Sequence, residues 1–167
     1  MSGILSTSAK SRKWQDPSKF KISITGAGAS LFGNLSPEDL SIACSSIALA
    51  GYNITPIESY IGEEWRFAIG RMEALQVDIT FKDFDNFKLY RAFSKGLQDS
   101  IRMFPDSIKI DLDIQTSSDF DIESFVDTVT FKDCILTSVG GATLDNSAVA
   151  SVAEVTINLK CSYAITH

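Results

Sequence analysis

The stretch EALQVDITFKDFDNFKLYRAFSKGLQDSIRMFP, residues 73 to 105, changes from a strand pattern to a helix pattern within a few residues. From Leu75 to Phe81 apolar side chains take every second position, which predicts a strand with one buried face. Residues 83 to 86 then supply turn and N-cap chemistry. Beyond them, apolar and aromatic side chains recur three or four positions apart, at Phe87, Tyr90, Phe93, Leu97 and Ile101. Because Pro105 favours a stop soon afterwards, the stretch predicts one strand followed by one amphipathic helix.

Alternating apolar and polar positions predict further strands on both sides of this unit. They cover residues 20 to 24, 108 to 114, 129 to 131 and 155 to 165. The segment DLSIACSSIALAGYN, residues 39 to 53, fits a helix or a strand, and we favour a strand because Pro37 and Gly51 leave little room for a longer helix. About seven strands and one good helix predict a mainly β (α+β) fold, an antiparallel β-sandwich or partly open barrel with one flanking α-helix.

The chain of 167 residues has the size of one domain. Residues 1 to 18 are rich in Ser, Lys and Arg without a period, so we interpret them as an N-terminal arm, free or docked on a neighbour, and residues 19 to 167 as the β domain. The arm lacks the continuous apolar segment of a signal peptide, and no apolar run is long enough to span a membrane. We therefore expect a protein made in the cytoplasm, without a membrane anchor.

Sequence patterns for catalysis, metals and cofactors are weak. The one histidine is the last residue, His167, which disfavours His-based triads and metal clusters. TGAGASLFG has Leu31 where a dinucleotide loop needs Gly, and the acidic residues from Asp119 to Glu123 lack the Gly and the distal Glu of a calcium loop. We expect plain turns at both places, no cofactor and no enzyme activity.

The cysteines Cys44, Cys134 and Cys161 are widely spaced and form no CxxC pair, so we expect reduced, buried thiols. The net charge of −6 disfavours a protein that grips nucleic acid. An acidic surface would instead let DNA pass without binding.

A hairpin is predicted within residues 54 to 69, around Gly62. It concentrates aromatic and charged side chains of the kinds that are enriched in interface cores, where nucleic-acid stacking is the weaker alternative because acidic residues lie beside them. The candidate contact residues are Tyr60, Glu63, Glu64, Trp65, Arg66 and Phe67.

The order of segments resembles the tail tube proteins of T4-like, contractile-tailed bacteriophages. The similarity runs from about Pro17 to Tyr163 and includes PSKFKISI, LSIACSSIALAG, LQVDITF, VTFKDCILTSVG and AEVTINLKCSY. The family usually has a Gly, an aromatic residue and a Pro where this chain has Asp133, Ile135 and Leu136. The resemblance rests on the order and spacing of segments, not on a catalytic signature.

This resemblance implies homohexameric rings that stack into the inner tail tube of a virion. Such a tube conducts DNA and the tape measure protein, and it assembles with a tail sheath and a baseplate. The polar faces of two strands would then line the lumen, at Gln76, Asp78, Thr80, Glu154, Thr156 and Asn158.

Alternative interpretations are a secretion-system tube that carries effectors and a tube-like protein of the baseplate or tail end. A monomeric β-barrel that binds an apolar ligand is a further alternative. It predicts an enclosed cavity and no self-association.

Overall fold

The computed structural model describes residues 20–33, 35–49, 51–116, 127–141 and 152–166. The strands are β1 Phe20–Thr25, β2 Cys44–Ala48, β3 Ile57–Ile61, β4 Glu64–Ala68, β5 Leu75–Lys82, β6 Ile110–Thr116, β7 Asp127–Val139, β8 Glu154–Cys161 and β9 Tyr163–Thr166. The α-helices are α1 Pro37–Ala43 and α2 Lys88–Ser100, and short 3-10 helices cover Ala27–Phe32 and Pro105–Ser107. The N-terminal arm and the acidic turn at residues 119 to 123 lie outside the described residues.

The main sheet is antiparallel and open rather than closed into a barrel, with the strand order β1-β6-β7-β8-β5-β2. Strand β7 joins its two halves, because its first part pairs with β6 and β9 and its second part with β8. Between these parts Asp133 takes a left-handed conformation (φ 51°), a local irregularity of the kind that redirects a strand. The predicted mainly β fold is confirmed.

The core forms where the apolar faces of β5 and β8 meet α2. The two strands pair without a break from Leu75 opposite Cys161 to Lys82 opposite Glu154, so their buried side chains share one face. Phe93 of α2 packs between Phe81 of the sheet and Phe32 of the first 3-10 helix, with ring centroids 5.4 and 5.6 Å away. The predicted strand and helix of the central stretch are thus confirmed. The exception is Ile101, which follows the helix and is 82% exposed.

The turn after β1 requires glycine at Gly28. A Cβ at this position would lie 2.4 Å from the backbone oxygen of Ile108, and the Gly28 N–H donates to the Lys109 carbonyl at 2.9 Å. Gly26 and Gly28 of TGAGASLFG thus lie against the backbone of residues 108 to 111, and the segment forms the 3-10 helix Ala27–Phe32 where the sequence predicted a plain turn.

Helix α1 corrects the sequence analysis, which favoured a strand through this segment. Ser36 caps the helix by accepting a hydrogen bond from the Asp39 N–H at 3.0 Å, and Pro37 occupies the first turn. The strand begins only at Cys44. Helix α1 also covers the edge strand β1, because the Ser41 hydroxyl lies 3.1 Å from both the backbone nitrogen and the oxygen of Ile22.

The last predicted strand is two strands, which separate at Ser162. Strand β8 pairs with β5 and with the second part of β7, whereas β9 returns to the first part of β7. The Ser162 N–H donates to the Lys132 carbonyl at 3.0 Å and fixes the junction. The predicted single face is wrong beyond this junction, because Ala164 lies opposite the buried Phe131 and packs against the core, whereas Tyr163 lies opposite Lys132 and is 44% exposed.

The expectation of three reduced cysteines is wrong for two of them. Cys134 and Cys161 lie next to each other on neighbouring strands, both fully buried, and form a disulfide. Cys44 is the free cysteine among the described residues.

Candidate assembly surfaces

A two-stranded ribbon, residues 53–73, carries the predicted contact residues. Strands β3 and β4 pair from Ile57 opposite Ala68 to Ile61 opposite Glu64, with Gly62 in a left-handed conformation (φ 67°) at the turn. Backbone hydrogen bonds continue the ribbon below them, from Thr55 to Arg71 at 3.2 Å. The predicted hairpin is confirmed, and each residue of β3 and β4 is exposed.

One face of the ribbon is aromatic. Opposite residues of an antiparallel pair point to the same side, so Tyr60, Trp65 and Phe67 share a face with Glu58. The rings of Tyr60 and Trp65 lie 5.2 Å apart between centroids. Phe67 is 68% exposed, which leaves this aromatic cluster open to solvent.

The other face of the ribbon is aliphatic at its ends and charged in the middle. Ile57 and Ile61 lie on it, 61% and 58% exposed, together with the opposed pair Ser59 and Arg66. Of the predicted contact residues, Arg66 and Glu64 thus lie on the opposite side from the aromatic cluster, and Glu63 lies in the turn. Sequence reasoning missed the isoleucines, although their alternation along β3 was a sufficient signal.

Exposed apolar side chains continue down the ribbon toward the sheet. They are Leu49, Tyr52, Ile54, Ile69 and Met72. Large exposed apolar side chains on both faces of one ribbon are typical of a segment that becomes buried between partners.

The six residues predicted to face a lumen all lie on one face of the paired strands β5 and β8, opposite the core. They are Gln76, Asp78, Thr80, Glu154, Thr156 and Asn158. Hydrogen bonds tie this polar strip together: Gln76 Nε2 donates to Asp78 Oδ1 at 3.1 Å, and the Thr80 and Thr156 hydroxyls lie 3.1 Å apart. With its amide oriented to satisfy both neighbours, Asn158 donates to Asp78 and accepts from Ser138.

The polar strip is balanced in charge. Asp78 and Glu154 contribute carboxylates, and Lys82 and Lys160 extend the same face with ammonium groups. These two carboxylates and two ammonium groups leave this face of β5 and β8 without net charge.

Three cavities that described residues line lie at the surface around α1, with volumes of about 260 to 300 Å³. Since the sheet is open, the described strands enclose no barrel interior for an apolar ligand. Among the described helices, none has the length and apolar character needed to cross a membrane.

No protein-family model matches the chain, and no curated protein matches it. Solved structures do. A chain of the sheath-tube complex of an extracellular contractile injection system, PVC, in the extended state aligns with a TM-score of 0.66 at 16% identity, covering 100% of this chain and 99% of that one. The fold is that of contractile injection system components.

Two further structures extend the likeness beyond the tube. The tube-terminating cap of the anti-feeding prophage aligns with a TM-score of 0.66 at 13% identity, over 92% of this chain and 91% of that one. A chain of the baseplate of the same particle aligns with a TM-score of 0.60 at 9% identity, over 89% and 92%. These neighbours are chains of a sheath-tube complex, a tube-terminating cap and a baseplate. At such identities the likeness shows a common fold.

Proposed function

We propose that this chain is a structural subunit of the inner tube of a contractile tail or a related injection particle. Homohexameric rings of the chain would stack into a hollow tube inside a sheath and on a baseplate. In a bacteriophage virion the tube would conduct DNA and the tape measure protein during ejection. The observation that carries the proposal is the exposed two-faced ribbon on a fold that matches a sheath-tube component over its full length.

The ribbon supports self-assembly because a monomer gains nothing from exposing large apolar side chains on both of its faces. Burial of large aromatic side chains stabilises an interface by about 25 cal/mol per Å² of apolar surface. One partner would cover Tyr60 and Trp65, and a different partner would cover Ile57 and Ile61. In a stacked tube, each subunit contacts a neighbour in its own ring and a subunit of the next ring. These two neighbours could cover the two faces of the ribbon.

The open sheet supports closure into a ring. An open antiparallel sheet leaves backbone groups unpaired along its outer strands, which among the described strands are β1, β2 and β9. On β1, the Ser41 hydroxyl bonds the backbone nitrogen and oxygen of Ile22. Subunits joined through such edges would line a solvent-filled lumen with the polar strip of β5 and β8. DNA would pass through this lumen without specific binding.

The experiment that tests this proposal removes residues 58 to 67 and closes the ribbon with a short Gly-Ser link. Each residue of β3 and β4 is exposed, so the far-UV circular dichroism and thermal unfolding should stay those of a folded protein. Polymers and rings should disappear in negative-stain images. Tubes formed by the shortened, folded protein would refute the role of the ribbon.

A second candidate function is a tube-like cap or baseplate protein, favoured by the alignments with the cap and baseplate chains. Such a protein forms one ring on the end of a tube and does not polymerise. A secretion tube that carries effectors would polymerise as the main tube does. Single rings that bind the ends of preformed tubes would therefore identify the cap or baseplate role.

A further inference from the structure

The chain leaves helix α2 through an exposed apolar turn, residues 101 to 104, which we call the α2 tip. Ile101 and Phe104 are 82% and 86% exposed, and Met103 is 41% exposed. The turn is fixed by hydrogen bonds, because the Phe104 carbonyl accepts from the Ser107 N–H at 3.0 Å and from its hydroxyl at 2.7 Å. Large apolar side chains held outward on a fixed turn are typical of a surface that a partner covers.

The α2 tip belongs to a basic part of an acidic chain. Residues 88 to 109 include five basic and two acidic residues, whereas the whole chain has a net charge of −6. One of the two acidic residues, Asp106, already pairs with Lys109 at 2.9 Å. Arg102, within the tip, is exposed and makes no ion pair with any described residue. The tip therefore favours a partner surface that is apolar and acidic.

The ribbon has both properties. Residues 53–73 include four acidic and two basic residues. Glu58 is the one charged residue on the aromatic face within the paired strands β3 and β4, because Glu64 and Arg66 lie on the opposite face. Like Arg102, Glu58 makes no ion pair with any described residue. The aromatic face of the ribbon thus complements the α2 tip in apolar character and in charge.

We propose that the aromatic face of the ribbon of one copy docks on the α2 tip of a second copy. Phe104 packs against the rings of Tyr60 and Trp65, and Glu58 pairs with Arg102. Because two different surfaces of the same chain meet, two joined copies still present one free ribbon and one free tip. Such a head-to-tail contact closes into a ring or continues as a stack, according to the rotation between copies. This inference rests on the proposed function and names the surface that receives the ribbon.

A second copy suits the α2 tip better than an anionic membrane, the other partner that basic and apolar side chains attract. Asp99 and Asp106 flank the tip, and the Asp106 side chain is 93% exposed despite its ion pair. Both carboxylates would approach the lipid headgroups and oppose binding. The ribbon instead offers one carboxylate, Glu58, within an aromatic face.

Photo-cross-linking in the assembled protein tests the contact directly. Phe104 is replaced by the photoreactive residue p-benzoylphenylalanine, and isotopically heavy and light protein are mixed before assembly. Illumination should join position 104 to peptides within residues 53–73. Cross-linked pairs that combine a heavy with a light peptide should form, which shows that the two segments come from different copies.

A charge exchange tests the ion pair without changing the apolar contact. Glu58→Arg and Arg102→Glu should each raise the protein concentration needed for assembly by about tenfold, since like charges would then face each other. The two changes together should restore most of the loss. Both side chains are exposed, so circular dichroism should show a folded domain in every variant.

The matched control combines Glu64→Arg with Arg102→Glu. Glu64 is an exposed glutamate of the same ribbon, but it lies on the face opposite Glu58. This combination should not restore assembly. Equal restoration by Glu58→Arg and Glu64→Arg would show that the aromatic face does not meet Arg102, and would overturn the proposed contact.

The cross-links separate a failure of this inference from a failure of the proposed function. Rings or tubes whose cross-links from position 104 reach only segments outside the ribbon would overturn this inference and leave the proposed function intact. Cross-links to the ribbon that never combine heavy with light peptides would place the contact within one chain and would also overturn it. A parent protein that forms neither rings nor tubes would refute the proposed function and this inference with it.

Discussion

Tyr60 and Trp65 lie directly opposite each other on β3 and β4, with ring centroids 5.2 Å apart, and 60% and 61% of their surfaces are exposed. Aromatic pairs of this kind stabilise an interface beyond the effect of their area when a partner covers them. In the isolated chain the pair stabilises only the neighbouring hairpin turn, and it adds little to the stability of the domain. Changes to this pair should therefore affect assembly without affecting the folding of the domain.

The first prediction is that the double change Tyr60→Ser and Trp65→Ser abolishes assembly and leaves the domain folded. Both side chains are exposed, so the urea midpoint should stay within error of the parent, while sedimentation velocity should show only small species. Val152→Ser is the control, because Val152 is 59% exposed and lies outside the ribbon. Assembly by the double variant at the parent's concentration would contradict the prediction.

Gly28→Ala should destabilise the fold. The new Cβ would meet the Ile108 carbonyl oxygen at 2.4 Å, a backbone atom that cannot move alone. We expect a loss of about 1–3 kcal/mol in the free energy of unfolding, as for other overpacked sites. Gly141→Ala is the control, since nothing lies within 4 Å of its added Cβ. Equal urea midpoints for the two variants would show that the turn after β1 has room to adjust.

Asp83 caps α2 from outside the helix. Its carboxylate accepts hydrogen bonds from the Leu89 N–H at 2.9 Å and the Tyr90 N–H at 3.1 Å. Asp83→Ala should lower the free energy of unfolding by about 1–2 kcal/mol, the usual cost of a lost cap. Asp99→Asn, an exposed change in the last turn of the same helix, should have almost no effect. Equal free energies of unfolding for the two variants, measured in urea, would show that Asp83 does not stabilise the helix as a cap.

Cys44 should react slowly with alkylating reagents. Partial burial raises the pKa of its thiol from 9.0 to about 11. Because the thiolate is the reactive form, the alkylation rate of the folded protein should keep rising as the pH increases beyond 9 and level off only near 11. In urea the rise should occur near the ordinary pKa. A folded-state profile that levels off at or below pH 9 would contradict the buried environment.

The same shift gives a direction for stability. The folded state keeps the Cys44 proton between pH 9 and 11, while the unfolded state loses it, so the free energy of unfolding should fall as the pH rises through this window. The Cys44→Ser variant should lack this component. Subtracting the pH dependence of the free energy of unfolding of Cys44→Ser from that of the parent protein leaves the contribution of Cys44. The contributions of lysines and tyrosines, which titrate in the same pH range, cancel.

Much of the fold could be predicted because its central elements follow one period each. Strand β5 and helix α2 are amphipathic along their whole length, so the core residues Val77, Ile79 and Phe93 could be predicted before any pairing was known. Helix α1 could not. Its seven residues span too few turns for the period to be distinguished from a strand, and the decisive signal was the cap at Ser36 followed by Pro37.

Features that depend on which strands pair could not be predicted from the sequence. Cys134 and Cys161 are 27 positions apart, and only the register of β7 and β8 brings them together. In the sequence, the alternation of apolar residues continues across Ser162, so the break between β8 and β9 could not be predicted. The aromatic residues of the ribbon were found from composition alone. Their separation from Arg66 onto opposite faces required the pairing of β3 with β4.

Negative-stain electron microscopy of the purified protein, with a native mass spectrum of the same sample, distinguishes a tube subunit from a protein that does not assemble. The account predicts hexameric rings that stack into hollow tubes, and a hexamer in the mass spectrum. A folded protein that stays monomeric over the whole accessible concentration range, with no rings in the images, would contradict it.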